Sequence, residues 1–187
     1  MKRGYLKFLC WIMLSALAPA VHSQVSFIEE YIDFSLDSHY FTVNGIYKFV
    51  NNSFNKATQK IIFPFATETA FIDSIRIFNL QEFKSIPFSR QHNSISFDLE
   101  ITSSDTLEIN LFYRQPAANK NSYILSSTQY WNKPLKKAVY TLTTPFGYKI
   151  QSFSFPPDQM KSENNHHVYI WHKQDFLPEM DFEVVGF

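Results

Sequence analysis

Cysteine is nearly absent from the sequence. The single cysteine among the 187 residues is Cys10, which lies in an apolar stretch close to the N-terminus. That stretch has the features of a secretory signal peptide, so we expect Cys10 to be removed on export. The mature chain would then have no disulfide, no thiolate nucleophile and no cysteine-based zinc site. A secreted domain without disulfides must be held together by its hydrophobic core.

Long apolar runs are also missing after the first 23 residues. The N-terminal segment has a basic start, an apolar core over residues 8–17 and small residues thereafter, and this core is too short to span a bilayer comfortably. We predict a signal peptide over residues 1–23 that is cleaved after Ser23, with cleavage after Ala20 as the second choice. An uncleaved N-terminal anchor is the competing interpretation. After cleavage the sequence predicts no integral membrane segment and a periplasmic or extracellular location.

The chain has no excess of basic residues. Its 17 Lys and Arg are balanced by 17 Asp and Glu. Residues 1–23 contain three basic residues and no acidic residue, so the mature chain would have 14 basic against 17 acidic residues, a net charge of −3. Nucleic acids and anionic membrane surfaces attract clustered positive charge. The composition therefore predicts that nucleic acid is not a partner.

Glycine is scarce, with 4 residues, whereas the chain contains 20 Phe and 10 Tyr. Aromatic and β-branched residues are enriched in strands. After the signal peptide, apolar and polar residues alternate with a period of two over short segments bounded by Pro, Gly, Asn or Ser, and no segment shows the 3.6-residue period of a helix. These features predict an all-β protein, an antiparallel β-sandwich of about eleven strands.

Two hairpins are predicted within this pattern. Residues 41–49 alternate cleanly, Asn51-Asn52-Ser53 interrupts the strand, and a second strand runs to Phe63 before Pro64. We interpret this stretch as a hairpin at the centre of the sheet. A second hairpin is predicted from residues 94–102 and 107–113, joined by a turn at residues 103–105.

Residues 115–122, QPAANKNS, form the most loop-like segment of the chain. They divide about six predicted strands from about five, which fits the usual size of a sheet. The segment is either a domain boundary between two stacked sub-sandwiches or a crossover within one sandwich. We favour one domain over residues 24–187, because the second half alone would have a small core.

The predicted strands carry a resemblance to known families. The run VNGIYKFVN at residues 43–51 is followed by FPF at residues 63–65, and later by Trp131 and by FLP at residues 176–178. This pattern resembles uncharacterised secreted β-sandwich modules of Gram-negative envelopes. The strand, polar turn and strand running into FP(F/L) are also similar to the N-terminal sandwich domain of inter-alpha-trypsin inhibitor heavy chains. The resemblance covers about a third of the chain; it implies a β-sandwich outside the cytoplasm and brings no catalytic residue with it.

No cofactor, metal or catalytic motif is evident. His166, His167 and His172 form the one histidine cluster, but two strand residues six positions apart are separated by about 20 Å, and the spacing typical of zinc sites is absent. No nucleophile elbow, phosphate-binding loop or EF-hand pattern occurs. We therefore predict no catalytic residue, no cofactor and no metal ligand.

The aromatic surplus supplies the candidate contact residues, which are Tyr130, Trp131, Tyr169 and Trp171. Exposed aromatic rings near Asn and Asp side chains stack on sugars and are enriched at protein interfaces. Packing in the core is the alternative interpretation of the same four residues. If the rings are exposed, a glycan or another envelope protein is the predicted partner.

The sequence thus predicts a secreted, non-catalytic β-sandwich that acts as a binding or structural module of the cell envelope. Two alternatives stay open. A small outer-membrane β-barrel is permitted by the alternating strands, although several of them are shorter than the 9 to 11 residues typical of such barrels. A secreted hydrolase with a dispersed active site is the second alternative.

Overall fold

The computed structural model describes residues 24–187; the predicted signal peptide lies outside the described residues. This part of the chain contains fourteen strands and two short 3₁₀ helices, Thr69–Phe71 and Ser126–Trp131. The strands are Val25–Leu36 (β1), Tyr40–Asn51 (β2), Ala57–Pro64 (β3), Asp73–Asn79 (β4), Lys84–Ser85 (β5), Ser89–Arg90 (β6), Ser94–Ile101 (β7), Thr106–Pro116 (β8), Lys120–Tyr123 (β9), Leu135–Pro145 (β10), Ile150–Phe153 (β11), Gln159–Glu163 (β12), His166–Phe176 (β13) and Phe182–Gly186 (β14). Neither 3₁₀ helix is long and apolar enough to cross a membrane.

One large sheet forms the first layer. Its eight strands have the order β12-β13-β10-β1-β2-β8-β4-β5. The pairings are antiparallel except at the centre, where β1 runs parallel to β10. The all-β prediction is confirmed, with the correction that the sheet is mixed and that fourteen strands stand where about eleven were expected.

Two three-stranded sheets form the second layer. They have the orders β11-β14-β9 and β3-β7-β6. The sheet β11-β14-β9 packs on the large sheet through Phe182, whose ring stacks on Phe34 of β1 with a centroid distance of 4.4 Å. The sheet β3-β7-β6 packs beside it, where Phe65 at the end of β3 contacts Tyr113 of β8 with a centroid distance of 4.8 Å. The molecule is therefore a sandwich in which two small sheets cover one face of a large sheet.

Alternation marks the buried faces of β7 and β8. The apolar residue at every second position of these two strands is buried: Ile95, Phe97, Leu99, Ile101, Leu107, Ile109, Leu111 and Tyr113. In a strand, successive side chains point to opposite faces, so an apolar residue at every second position marks the core side.

Both predicted hairpins are wrong. Strand β2 pairs with β1 and β8, whereas β3 pairs with β7 in the opposite layer. Likewise β7 and β8, consecutive in the chain, belong to different layers. Alternation fixes which face of a strand is buried, but the same pattern fits a partner in either layer. The turns after β2 and β7 are crossovers between the layers.

Residues 115–122 overlap the end of β8 and most of β9, so they connect the large sheet to a small sheet of the second layer. Strands from before and after this segment lie side by side in the large sheet, where β1 pairs with β10. Buried residues from both halves also form one continuous hydrophobic cluster.

Candidate ligand-binding cleft

A cleft opens between the two small sheets, above the inner face of the large sheet, and we call it the inter-sheet cleft. It encloses about 860 Å³. Its floor is formed by β1 and β2, one wall by β3, and the other by the end of β9 and the 3₁₀ helix Ser126–Trp131. A cleft of this volume is in the range that holds a drug-sized organic molecule.

Seven of the twenty residues that line the cleft are aromatic: Phe27, Tyr47, Phe49, Phe63, Tyr123, Tyr130 and Trp131. The Trp131 ring lies 5.9 Å from Phe27 and 5.6 Å from Phe49, centroid to centroid. Phe27 in turn stacks on Phe49 at 5.1 Å. The 3₁₀ helix thereby fixes one face of Trp131 against the floor of the cleft.

A β-bulge places Phe27 in the floor. On β2, Phe49 pairs with Phe27 while its neighbour Lys48 pairs with Glu29, so Ile28 has no partner on that strand. The extra residue reverses the alternation, and both Phe27 and Glu30 therefore point inward. Strict alternation with Ile32 and Phe34 would put Ile28 on the inner face, but the bulge leaves that residue only half-buried. Bulges commonly re-aim side chains beside functional sites.

Glu30 is the one acidic residue that lines the cleft. Its side chain is 1% exposed, and the Tyr140 hydroxyl donates a short hydrogen bond to Oε1. Burial raises the pKa of the Glu30 carboxyl from 4.5 to about 7, because the charged form loses hydration, and the hydrogen bond from Tyr140 offsets part of this rise. Near neutral pH the carboxyl is therefore divided between its protonated and ionised forms.

Two tyrosines add polar groups to the lining, Tyr47 in the floor and Tyr123 in the wall. The hydroxyls of Tyr47 in β2 and Tyr123 in β9 lie 2.8 Å apart and share a hydrogen bond between the two layers. Burial raises the pKa of both hydroxyls well above 10.0, so both are neutral at ordinary pH. Gly45 leaves room for the Tyr47 ring, because a Cβ at that position would lie 2.6 Å from Tyr47 Cε2.

Of the four candidate contact residues, two line the cleft. Tyr130 is 89% exposed at its rim, and Trp131 is partly buried in its wall. The other two, Tyr169 and Trp171, are buried on β13 and do not line the cleft. Trp171 is 0% exposed and donates its indole N–H to the Phe155 carbonyl at 3.2 Å. These two residues pack in the core, so their rings are not available to contact a ligand or partner.

Glu30, Tyr47 and Tyr123 were not identified as site residues from the sequence. Glu30 carried a usable signal, because it is an acid within the alternating apolar set Ile28, Ile32, Phe34 and Leu36. Charged residues are almost never fully buried without a partner. For the two tyrosines no signal was available, since their pairing joins residues 76 positions apart.

The three histidines are not gathered into a site. The ring Nδ1 of His166 hydrogen-bonds with the Asn164 carbonyl at 2.7 Å, and that of His167 with Ser162 Oγ at 3.0 Å. Within residues 24–187, no three His, Cys, Asp or Glu side chains are grouped closely enough to hold a metal ion.

Comparisons with known proteins give likenesses of fold. No family model and no curated protein matches the sequence. Among solved structures, the chain is similar to the "putative nutrient binding protein" of Legionella pneumophila, with a TM-score of 0.69 and 11% identity over 89% of this chain and 68% of that one. It is also similar to an M1 zinc metallopeptidase from Deinococcus radiodurans, with a TM-score of 0.55 and 8% identity. The likeness covers 87% of this chain but spans only 42% of the peptidase. At these identities, the two likenesses establish a shared β-sandwich fold.

Proposed function

We propose that this protein is an exported, non-catalytic binding module of the cell envelope and that it holds its ligand in the inter-sheet cleft. The observation that carries the proposal is the cleft itself, an aromatic-lined space of about 860 Å³ with a few polar groups at its floor. Ligand sites in proteins have this composition, with apolar walls for affinity and few polar groups for orientation. The fold shared with a protein described as nutrient binding supports the same assignment.

The polar groups of the floor favour binding over catalysis. Tyr47 and Tyr123 are engaged with each other, and Tyr140 is engaged with Glu30. Groups held in this way act as fixed hydrogen-bond partners, which give a bound ligand its orientation.

Export is supported by the predicted signal peptide, whose predicted cleavage site precedes the first described strand. Strand β1 starts at Val25, which is buried, and the Gln24 carbonyl accepts a hydrogen bond from the Asn52 amide at 2.8 Å. Cleavage after Ser23 would therefore leave this strand whole. N-terminal sequencing of the protein recovered from a periplasmic or medium fraction tests the prediction, and an uncleaved Met1 in the cytoplasmic fraction would contradict it.

Tryptophan fluorescence offers a direct test of the cleft as a binding site. The mature chain contains two tryptophans, Trp131 in the cleft and Trp171 in the core. In a Trp171→Phe variant the emission comes from Trp131 alone. Titration with a panel of saccharides, amino acids, organic amines and aromatic alcohols should yield ligands that shift or quench this emission.

Two variants of the contact residues then locate the ligand. Tyr130→Ala at the rim should weaken binding several-fold and Trp131→Leu in the wall should weaken it more, because each removes a ring from the contact surface. Phe83→Ala is the matched control, since it removes a ring of comparable exposure that does not line the cleft. A ligand whose affinity is the same in all these variants, measured by calorimetry, would place the binding site elsewhere.

A secreted hydrolase is the second candidate function, and Glu30 is the observation that favours it. A carboxyl with a pKa of about 7 in a cleft is suited to general acid–base catalysis. Turnover in a hydrolase screen that disappears in Glu30→Gln would support this candidate over the binding module.

A further inference from the structure

We propose that the ligand of the inter-sheet cleft is an organic monocation, a molecule with an apolar body and one ammonium group that pairs with the Glu30 carboxylate. This inference rests on the proposed function, because it names the ligand class of the same cleft. It is carried by two features of the cleft: the chemistry of its lining and the state of its single carboxyl group.

The aromatic lining favours cations. Aromatic faces carry partial negative charge and attract ammonium groups within about 6 Å of the ring centroid. The rings of Phe27 and Phe49 in the floor and Trp131 in the wall lie within 6 Å of one another, centroid to centroid. Phe63 of the β3 wall meets Tyr47 of the floor edge to face, with centroids 5.8 Å apart. An apolar body with a cationic end finds aromatic contacts along the floor and at both walls.

The floor provides the counter-charge. Glu30 Oε1 accepts the hydrogen bond from Tyr140, and no other hydrogen bond to this carboxylate is found within residues 24–187. A carboxylate can accept several hydrogen bonds through its two oxygens. A buried carboxylate with one neutral partner is under-compensated in charge, so an ammonium group that reached it would gain a charge-assisted hydrogen bond.

The other groups that face Glu30 do not supply a positive charge. They come from three strands, Tyr47 of β2, Tyr123 of β9 and Tyr140 of β10, and all three interact electrostatically with Glu30. The pKa of each hydroxyl is well above 10.0 because of burial, so each is neutral. The cation that balances Glu30 would therefore have to come from the ligand.

Two lysines in the lining act against cations, and more strongly against those of higher charge. Lys60 on β3 and Lys133 after the 3₁₀ helix line the cleft and are exposed to solvent. Repulsion from these exposed ammonium groups increases with the charge of the ligand and is reduced by salt. A linear polyamine should bind more weakly than a monoamine of similar size.

The test compares charged and neutral molecules of the same shape. Wild-type protein and a Glu30→Gln variant are titrated with 2-phenylethylamine and 2-phenylethanol, and with cyclohexylmethylamine and cyclohexylmethanol, by calorimetry at pH 8. The Trp171→Phe forms of both proteins are titrated in parallel by the Trp131 fluorescence shift. A hydrogen bond to a charged group contributes about 1.5–3 kcal/mol. The wild type should therefore prefer each amine by about tenfold to a hundredfold, and Glu30→Gln should bind the amine and the alcohol alike.

The pH dependence provides a second readout. Both amines stay protonated between pH 6 and pH 8, whereas Glu30 becomes ionised over this range because its pKa is about 7. Amine affinity of the wild type should therefore rise about tenfold from pH 6 to pH 8, while alcohol affinity should not rise. Tyr140→Phe removes the hydrogen bond that favours the ionised carboxyl, so the same rise should occur at higher pH.

Glu29→Gln is the matched control, because the same chemical change is made one residue away on the opposite face of β1, where Glu29 accepts a hydrogen bond from the Tyr31 hydroxyl. It should leave the preference for amines intact. Equal binding of amines and alcohols by the wild type, or an amine preference that persists in Glu30→Gln, would overturn the cation inference and leave the cleft as a binding site. Failure of all four molecules to bind would overturn the cation inference. The cleft would then be tested as a binding site by the wider panel of ligands in the fluorescence titration.

Discussion

Glu30 lowers the stability of the fold at neutral pH and above. Its folded-state pKa of about 7 lies above the ordinary value of 4.5. Well below pH 4.5 the carboxyl is protonated in the folded and unfolded states, and it has no effect. As the pH rises from 4.5 to 7, the carboxyl ionises in the unfolded chain but not in the folded one, so the free energy of unfolding falls, and above pH 7 the total loss is about 3 kcal/mol. Residues that cost stability in this way are common at functional sites.

Glu30→Gln should therefore be more stable than the wild type at pH 8 and within about 1 kcal/mol of it at pH 5. Glutamine keeps an oxygen that can accept a hydrogen bond from the Tyr140 hydroxyl but never carries the buried charge. The expected gain at pH 8 relative to pH 5 is about 2–3 kcal/mol, measured by urea denaturation at both pH values. Other carboxyls also make stability depend on pH, because hydrogen bonds lower the pKa values of Asp73, Asp105 and Asp158. Their contributions are the same in the wild type and in Glu30→Gln, so they cancel in the difference between the two proteins.

Glu29→Gln serves as the control, since Glu29 is only half-buried. Its stability relative to the wild type should change by less than about 0.5 kcal/mol between the two pH values. If Glu30→Gln also shows no pH-dependent difference, then Glu30 is not buried as the structure places it.

Trp171 and Tyr130 show how burial separates two aromatic residues that look alike in the sequence. Trp171→Ala should lower the free energy of unfolding by about 3–5 kcal/mol, because it leaves a large cavity beside Phe153 and Phe182, whose rings pack edge to face on the indole. Tyr130→Ala should change it by less than about 0.5 kcal/mol, because its ring is 89% exposed. Similar midpoint shifts for the two variants in urea would contradict the assigned exposures.

At the scale of the elements, two crossovers between the layers meet at one end of the sandwich. The turn after β2 and the turn after β7 are joined by backbone hydrogen bonds from Ser104 to the Ser53 carbonyl at 3.0 Å and from Asn51 to the Asp105 carbonyl at 2.9 Å. Asn51 is fully buried at this junction. Its Nδ2 donates to the carbonyls of Asn55, Ile101 and Thr102, while Oδ1 accepts from Ser53. This side chain ties the end of β2 to the end of β7.

Asn51→Ala should destabilise the protein by about 2–4 kcal/mol, because it leaves carbonyl oxygens of the junction without their donor. Asn52→Ala is the matched control: Asn52 is exposed, and its side chain makes a single hydrogen bond to Ser26 Oγ at 3.0 Å. Chemical denaturation of both variants is the measurement. A small effect of Asn51→Ala, comparable with that of Asn52→Ala, would show that the crossovers are held by other contacts.

At the scale of the whole molecule, the parallel pair of β1 and β10 joins the two halves of the chain. Residues 29–35 of β1 pair in register with residues 137–143 of β10. The inner face of β1 is covered at Phe34 by Phe182, which lies near the C-terminus on β14 of the small sheet β11-β14-β9. Each half thus contributes strands to the large sheet, and the second half covers part of the first.

A fragment of residues 24–118 should therefore not fold on its own. It would lose β10, the partner of β1, and it would expose the aromatic face around Phe34 to solvent. We expect no cooperative thermal transition by circular dichroism and aggregation in size-exclusion chromatography, whereas residues 24–187 should melt cooperatively. A cooperative melt of the fragment near that of the intact chain would show that residues 115–122 separate two domains.

The sequence by itself determined the strand content, the buried face of most strands and the absence of cysteine from residues 24–187. These properties are local, because a period of two in apolar residues is a property of one strand alone. Partner choice was not determined: β2 and β3 follow one another in the chain yet lie in opposite layers, since either layer accepts the same apolar face. The cleft was likewise decided only by the tertiary structure. Its floor needs a bulge at Ile28, a carboxyl hydrogen-bonded by a residue 110 positions away and a tyrosine pair that joins two sheets, and contacts over such separations leave no periodic trace in the sequence.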